Sequence, residues 1–248
     1  MLSGALCISL FVMWRLYKNN LAFLRYHVTL DSFFDSVFLF LFSFSMGARL
    51  LHVLEHASYF SAHALNTLLF LHFPGFSFLG GVIGGIVGLV LFCRRRRLPF
   101  LLLSDLSFVG LSFAFSFSRI GSLLAGDSYG KETDFFLKVT IAGLSGTRHP
   151  TQLYEAFFGF GIFAVLYYLY RRGKIENGFL TVYFFIMIGV CRFFVEMLRG
   201  DSVYLWGIPV AQILSVCFVL VGVIILVFAK RQLLLHIVNT RIREKKNI

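Results

Sequence analysis

Apolar residues run in long blocks along this chain, separated by short basic or polar clusters. Seven blocks approach the length of a bilayer-crossing helix: about 1–17, 30–53, 74–93, 98–119, 153–170, 178–198 and 207–229. A spanning helix needs roughly 20 mostly apolar residues. The first block is short. It lacks a basic start and a small-residue cleavage site, so it is expected to be an anchor and not a removable leader. The stretch 54–73 is only weakly apolar and predicts an interfacial or re-entrant helix. The longest segment outside the blocks, about 120–150, mixes five glycines with Asp127, Lys131, Glu132 and Asp134. A loop of that size is usually functional or disordered. No linker interrupts the pattern. The expectation is one all-α domain over residues 1–248, a polytopic integral membrane protein with seven transmembrane helices.

Composition agrees. The 248 residues are 58% hydrophobic and 18% aromatic, with a mean hydropathy of +0.82. Soluble domains run at about 45–50% apolar, so that class is excluded. The net charge of +11 matters through its placement. Arg15 near the end of the first block is followed by Lys18 and Arg25, while Arg94 to Arg97 follow the third block and Arg171, Arg172 and Lys174 the fifth. Lys230, Arg231, Arg241, Arg243, Lys245 and Lys246 lie in the tail. Seven alternating helices put all of these on one side. The positive-inside rule then predicts the N-terminus outside and the C-terminus cytoplasmic. Because the basic residues already serve as topology signals, no nucleic-acid partner is expected, though they can touch anionic membrane lipid.

The four cysteines, Cys7, Cys93, Cys191 and Cys217, lie in or beside apolar helices without CxxC or CxxH spacing. They read as buried structural residues. His52 and His56 are four apart but lack a third ligand, so no metal site is expected. Gly80, Gly81, Gly84, Gly85 and Gly88 in the third block permit close helix approach. They also open space beside a lipid headgroup, and the two readings are compatible.

Charges inside apolar blocks carry more information. Arg49, Asp105, Arg119, Glu155, Arg192 and Glu196 lie in or at the ends of helices. A charge at mid-bilayer costs roughly 2.5–3.5 kcal/mol on insertion scales and normally faces a protein-lined cavity. Arg192, Glu196 and Arg199 are spaced to share one helix face. A buried ion-pair network that only orients helices is one reading. The other is a ligand site, because Arg119, Arg192, Gln152, Tyr154 and Glu155 all fall toward the outer ends of their helices. "RHPTQLYE" (148–155) marks a loop turning into a helix, with Pro150 suited to the first helical position. Two arginines clamp a phosphate through charge-assisted, often bidentate bonds, which points to a phospholipid headgroup.

These motifs resemble those of the bacterial prolipoprotein diacylglyceryl transferases. "GARLLHVL" (47–54) is similar to the family's arginine motif, "FSFLGGVIGGI" (76–86) to its glycine-rich helix, and Asp105 to its next-helix aspartate. "SRIGSLLAGDSYG" (118–130) resembles the signature R-I-G-N-F-x-N-G-E-x-x-G. "RHPTQLYE", "NGFLTVYFFIMIGVCRFFVEMLRGD" (177–201) and "AQILS" (211–215) complete the order. The resemblance implies an enzyme of the bacterial cytoplasmic (inner) membrane. It would move diacylglyceryl from phosphatidylglycerol to a prolipoprotein's lipobox cysteine and release glycerol phosphate. It implies catalytic roles for Arg119 and Arg192, with His149 as a candidate base. Arg49, Gly81, Gly126, Asp127, Gly130, Gln152, Tyr154, Glu155, Glu196, Arg199 and Gln212 would form or support the substrate site. No cofactor is called for, and one chain holds a full set of motifs, so a monomer suffices.

Departures from the family pattern thin the pocket's polar groups. Leu79 stands where many members have histidine, Ser122 and Ala125 replace asparagines, Asp127 shortens a glutamate and Ile188 replaces a tyrosine. A divergent enzyme with another acceptor or lipid therefore stays open, as does a non-catalytic phospholipid-binding protein.

Overall fold

Each of the seven apolar blocks contains a helix in the computed structural model, which describes residues 2–55, 77–126, 128–141, 145–173, 175–202 and 204–227. The helices are α1 (Leu2–Lys18), α2 (Leu21–Arg25), α3 (Leu30–Glu55), α4 (Phe78–Arg96), α5 (Phe100–Ala125), α6 (Thr151–Arg172), α7 (Phe179–Glu196) and α8 (Val210–Val227). Five of them, α3, α5, α6, α7 and α8, are long and apolar enough to cross a membrane. The chain is thus a multi-pass membrane protein, and its described residues are helical apart from loops and one small hairpin, β1 (Tyr204–Leu205) paired with β2 (Ile208–Pro209). The expected interfacial helix over 54–73 falls mostly outside the described residues, as do His56, Lys174 and the basic tail.

Local chemistry sets the helix ends. Arg97 closes α4 in the left-handed conformation, and the amide of Leu98 returns to the Cys93 carbonyl at 2.9 Å. Gly173 and Gly178, both at positive φ, end α6 and precede α7. Pro150 is the cap of α6 and Thr151 its first helical residue, one position later than expected. The structure corrects the sequence reading elsewhere too. Residues 120–125, placed in the outer loop, continue α5. The hairpin takes the first residues of the seventh block, and the short α2 was not foreseen.

The helices gather into two compact units. In the unit spanning Leu16–Ser107, α3 and α4 pack closely. Leu51 lies at Gly80, Gly47 at Gly80 and Gly84, and Ser43 at Gly84 and Gly88, so the two helices run antiparallel. A Cβ on Gly84 would sit 2.8 Å from the Gly47 Cα, and one on Gly81 would sit 2.6 Å from the Phe44 ring. The glycine stripe therefore serves backbone-to-backbone packing. Tyr17 donates to the Val28 carbonyl at 2.8 Å and stacks on Phe33, fastening α2 to its neighbours. Arg49 and Asp105 are buried in this unit.

The other unit holds the residues before Leu16 and those from Phe108 onward. Ser9 donates to the Gly110 carbonyl at 2.8 Å. Gly159 of α6 meets Ser116 of α5, and Phe113 meets Phe163. Gly189 of α7 meets the Ser215 carbonyl of α8, and Gly222 meets Ile186. Partner numbers rise on one helix as they fall on the other, so α5, α6, α7 and α8 alternate in direction. The C-terminal ends of α5 and α7 and the starts of α6 and α8 therefore share one end of the bundle. Arg171 and Arg172 mark the other.

Replacing Gly84 by Leu should destabilise the protein by at least about 1–3 kcal/mol, because the added atoms meet backbone that cannot rotate away. Gly161→Ala, with open space around it, should leave stability unchanged or slightly raised. Thermal unfolding in detergent micelles checks both.

Candidate functional site

Glu155 is the centre of the charged end. Thr151, Gln152, Glu155, Ala156, Gly159, Ile162 and Leu166 are buried along one stripe of α6. That spacing aims Glu155 into the bundle, where it is 4% exposed. A lone carboxylate there would be strongly disfavoured. Three arginines surround it. Arg119 of α5 brings Nε to 3.0 Å from Oε2. Arg192 of α7 donates through Nη1 to Oε1. Arg199, just beyond α7, places Nη1 3.6 Å from Oε1.

The expected shared face of Arg192, Glu196 and Arg199 is present. Glu196 Oε2 lies 3.5 Å from Arg192 Nη2 and 3.8 Å from Arg199 Nε. Asp201 grips Arg199 bidentately, at 3.0 Å to Nε and 2.9 Å to Nη2. Ser202 donates to Glu196 at 2.7 Å. Burial disfavours the Arg199 cation, but the hydrogen bond and charge of Asp201, then Glu155 and Glu196, outweigh it. Its pKa therefore lies above the usual arginine value. Arg199 is the most enclosed of the three, with an 11% exposed side chain, against 20% for Arg119 and 27% for Arg192.

The loop after α5 is sewn onto this cluster. Gly126, at φ +72°, turns the chain off the helix. Gly130 pairs with Arg199 as a β-bridge, and a Cβ there would strike the His149 carbonyl. Lys131 donates to the Leu198 carbonyl at 2.8 Å, and Gly200 to Tyr129 at 2.9 Å. Ser128 takes a hydrogen bond from Arg199 on its hydroxyl at 3.1 Å and one from Gln152 on its carbonyl at 2.6 Å. Arg148 donates to the Gly130 carbonyl at 3.3 Å and to Glu132 at 3.1 Å, and lies over the Tyr129 ring.

His149 and Tyr154 face elsewhere. His149 Nδ1 is 3.3 Å from the Tyr154 hydroxyl. The pair borders a cavity of about 590 Å³ lined by Phe135, Leu137, Phe157, Phe158, Phe194 and neighbours, all apolar. It lies on the side of α6 that carries Phe157 and Phe158, not Glu155.

Of the predicted site residues, Arg119, Gly130, Gln152, Glu155, Arg192, Glu196 and Arg199 form one connected network. His149 and Tyr154 lie on the neighbouring apolar cavity. Gln212 is half-buried in the first turn of α8. Arg49 and Gly81 belong to the other unit, and Asp127 lies outside the described residues. Sequence reasoning missed Ser128, Arg148, Asp201 and Ser202. Asp201 was discoverable as a carboxylate two residues after a buried arginine; Ser128 gave no signal. No three metal-ligating side chains gather among the described residues. What the network offers chemically is a nearly neutral seat for an anion, built of guanidinium forks.

Comparison with known proteins bears on this arrangement. The model of the family described as prolipoprotein diacylglyceryl transferase matches residues 1–228. A phosphatidylglycerol–prolipoprotein diacylglyceryl transferase of Finegoldia magna is 31% identical over 189 residues, 76% of this chain and 75% of the relative. The protein of the same name from Ehrlichia canis is 31% identical over 235 residues, 90% of this chain and 88% of the relative. That from Campylobacter hominis is 36% identical over 158 residues, 62% and 56% of the two chains.

The network's electrostatics set a stability expectation. Glu155→Ala leaves Arg119 and Arg192 facing each other without their shared counter-charge. It should lower stability by about 3–5 kcal/mol, the usual loss when one member of a buried pair is removed. Glu132→Ala removes an exposed partner and should cost under about 1 kcal/mol. Equal losses in a detergent unfolding assay would contradict the central role of Glu155.

Proposed function

The chain belongs to the prolipoprotein diacylglyceryl transferase family, and from that premise we propose that it transfers diacylglyceryl from phosphatidylglycerol to the lipobox cysteine of a prolipoprotein. The observation that supports this most is the convergence of Arg119 and Arg192 on one buried carboxylate. Both side chains are partly exposed, by 20% and 27%, and a phosphodiester can take the place of that carboxylate on them.

The reaction forms a carbon–sulfur bond and breaks a carbon–oxygen bond. The cysteine thiolate attacks the glycerol carbon that carries the phosphate ester oxygen. The electron pair of the broken bond stays on that oxygen, and glycerol phosphate leaves with the added charge. Arg119 and Arg192, preorganised on Glu155, stabilise the charge as it grows. The thiol passes its proton to a base as the carbon–sulfur bond forms. His149 is the candidate base, and must turn from Tyr154 to reach a thiol near the arginines. The apolar cavity beside Tyr154 offers room for a lipid chain or an apolar peptide segment.

In the same reading the chain crosses a bacterial cytoplasmic membrane seven times, with α1 and α4 added to the five longest spans. The N-terminus is outside and the charged network faces the outer leaflet. Support comes from the alternating helices and from Arg171 and Arg172 at the end opposite Arg119. The thinning of polar groups at Leu79, Ser122, Ala125 and Ile188 favours a second reading, a family enzyme with another acceptor or lipid.

Arg119→Ala and Arg192→Ala should each lower transfer of labelled diacylglyceryl to a lipobox peptide by about 10²-fold or more. The Lys variants should also lose most activity, since they keep the charge but not the fork. Full activity in either Ala variant would contradict the phosphate clamp. Replacing Arg94 to Arg97 by Gln should disturb orientation and leave the chemistry of correctly inserted molecules intact. Cysteine labelling from the outside reads orientation, and transfer reads chemistry.

A further inference from the structure

The hairpin between α7 and α8 has an odd residue at its tip. Its two-residue loop is Trp206–Gly207, at φ +51° and +81°. Both central residues are left-handed, the turn that matches strand twist and favours Asn or Asp before Gly. A bulky aromatic in that conformation is an outlier. Packing within the protein does not offset it, because Trp206 is 93% exposed. Its neighbours Tyr204 and Ile208 are also exposed, at 58% and 50%.

The position of the hairpin says what lies against it. Pro209 ends β2, and Val210 begins α8, whose mean hydropathy is 2.9 and of which only 11% is buried. Val216, Leu220, Val221 and Ile224 on that helix are exposed, so α8 presents its surface to lipid. The exposed aromatic tip directly precedes that apolar, exposed helix, at its N-terminal end. Indole and phenol rings partition to this depth, with the ring in the apolar boundary and the polar N–H or O–H in the headgroups.

We propose that the Tyr204–Pro209 hairpin is a membrane-interface anchor, with Trp206 seated among the lipid headgroups at the charged end of the bundle. Asp201 and Ser202, which hold Arg199 and Glu196, lie immediately before it. The anchor therefore fixes the depth of the arginine network relative to the bilayer surface. A polar residue suited to the turn would make the hairpin fold without making it hold the membrane.

The test needs no transfer activity, so its failure is separate from failure of the proposed reaction. The chain has two tryptophans, and Trp14→Phe leaves Trp206 as the only one. The full-length variant is reconstituted in phosphatidylcholine–phosphatidylglycerol vesicles carrying a nitroxide either near the headgroup or near the chain end. The expected result is blue-shifted emission, with stronger quenching by the shallow label than by the deep one. Emission like free indole, quenched by aqueous acrylamide and insensitive to either nitroxide, would overturn the anchor and leave the tip free for a water-soluble partner. Stronger quenching by the deep label would also overturn the interfacial placement. If Trp14→Phe fails to fold, the difference between wild type and Trp206→Phe reports the same signal.

Discussion

One carboxylate organises the charged end of this protein. Glu155 is buried in a bundle of apolar helices, where an unpaired charge is prohibitive, and three chain segments bring an arginine to it. Arg119 comes from the end of α5, Arg192 from α7 and Arg199 from the turn after it. Each contact ties the end of one helix to the start of α6. The loop after α5 then folds onto the same group, because Ser128 bonds both Arg199 and Gln152. Gly130 can pair with Arg199 because a side chain there would strike His149. The fold around the site follows from satisfying this one group.

The same arrangement suits anion chemistry. In the free protein the arginines are held apart and oriented by Glu155, Glu196 and Asp201, so little reorganisation is needed when a phosphate arrives. Charge is nearly balanced before binding, which lets three guanidinium groups stand together in a membrane protein. A phosphate that displaces Glu155 from Arg119 and Arg192 substitutes one anion for another. The apolar cavity at Tyr154 and the aromatic hairpin tip add surfaces of the kind lipid requires, on the same end of the bundle.

Much of this was legible in the sequence, for identifiable reasons. Helices in a bilayer must satisfy their own backbones, so apolar block length alone located the five long apolar helices. The i, i+4, i+7 spacing of Arg192, Glu196 and Arg199 put them on one face, as found. The ordered motifs named the family and the arginine pair. The extension of α5 through Ala125 was missed because its glycine and serine mimic loop composition. Asp201 and Ser202 lie beyond the helix, where periodicity carries no information. Ser128 meets Arg199 through its hydroxyl, but its bond to Gln152 uses a backbone carbonyl and its φ of +63° is left-handed, neither written in residue type. The side of α6 that His149 joins depends on the loop's path, which no pattern reports.

The most direct test of the account is phosphatidylglycerol affinity, read by displacement of a fluorescent analogue in detergent, for wild type, Glu155→Gln and Arg119→Ala. If the headgroup phosphate takes the arginines from Glu155, the wild type binds saturably. Glu155→Gln, having lost the competing anion, then binds at least as tightly, and Arg119→Ala loses most of its affinity. Equal affinity in all three proteins, or loss of binding in Glu155→Gln with the fold intact, would contradict it.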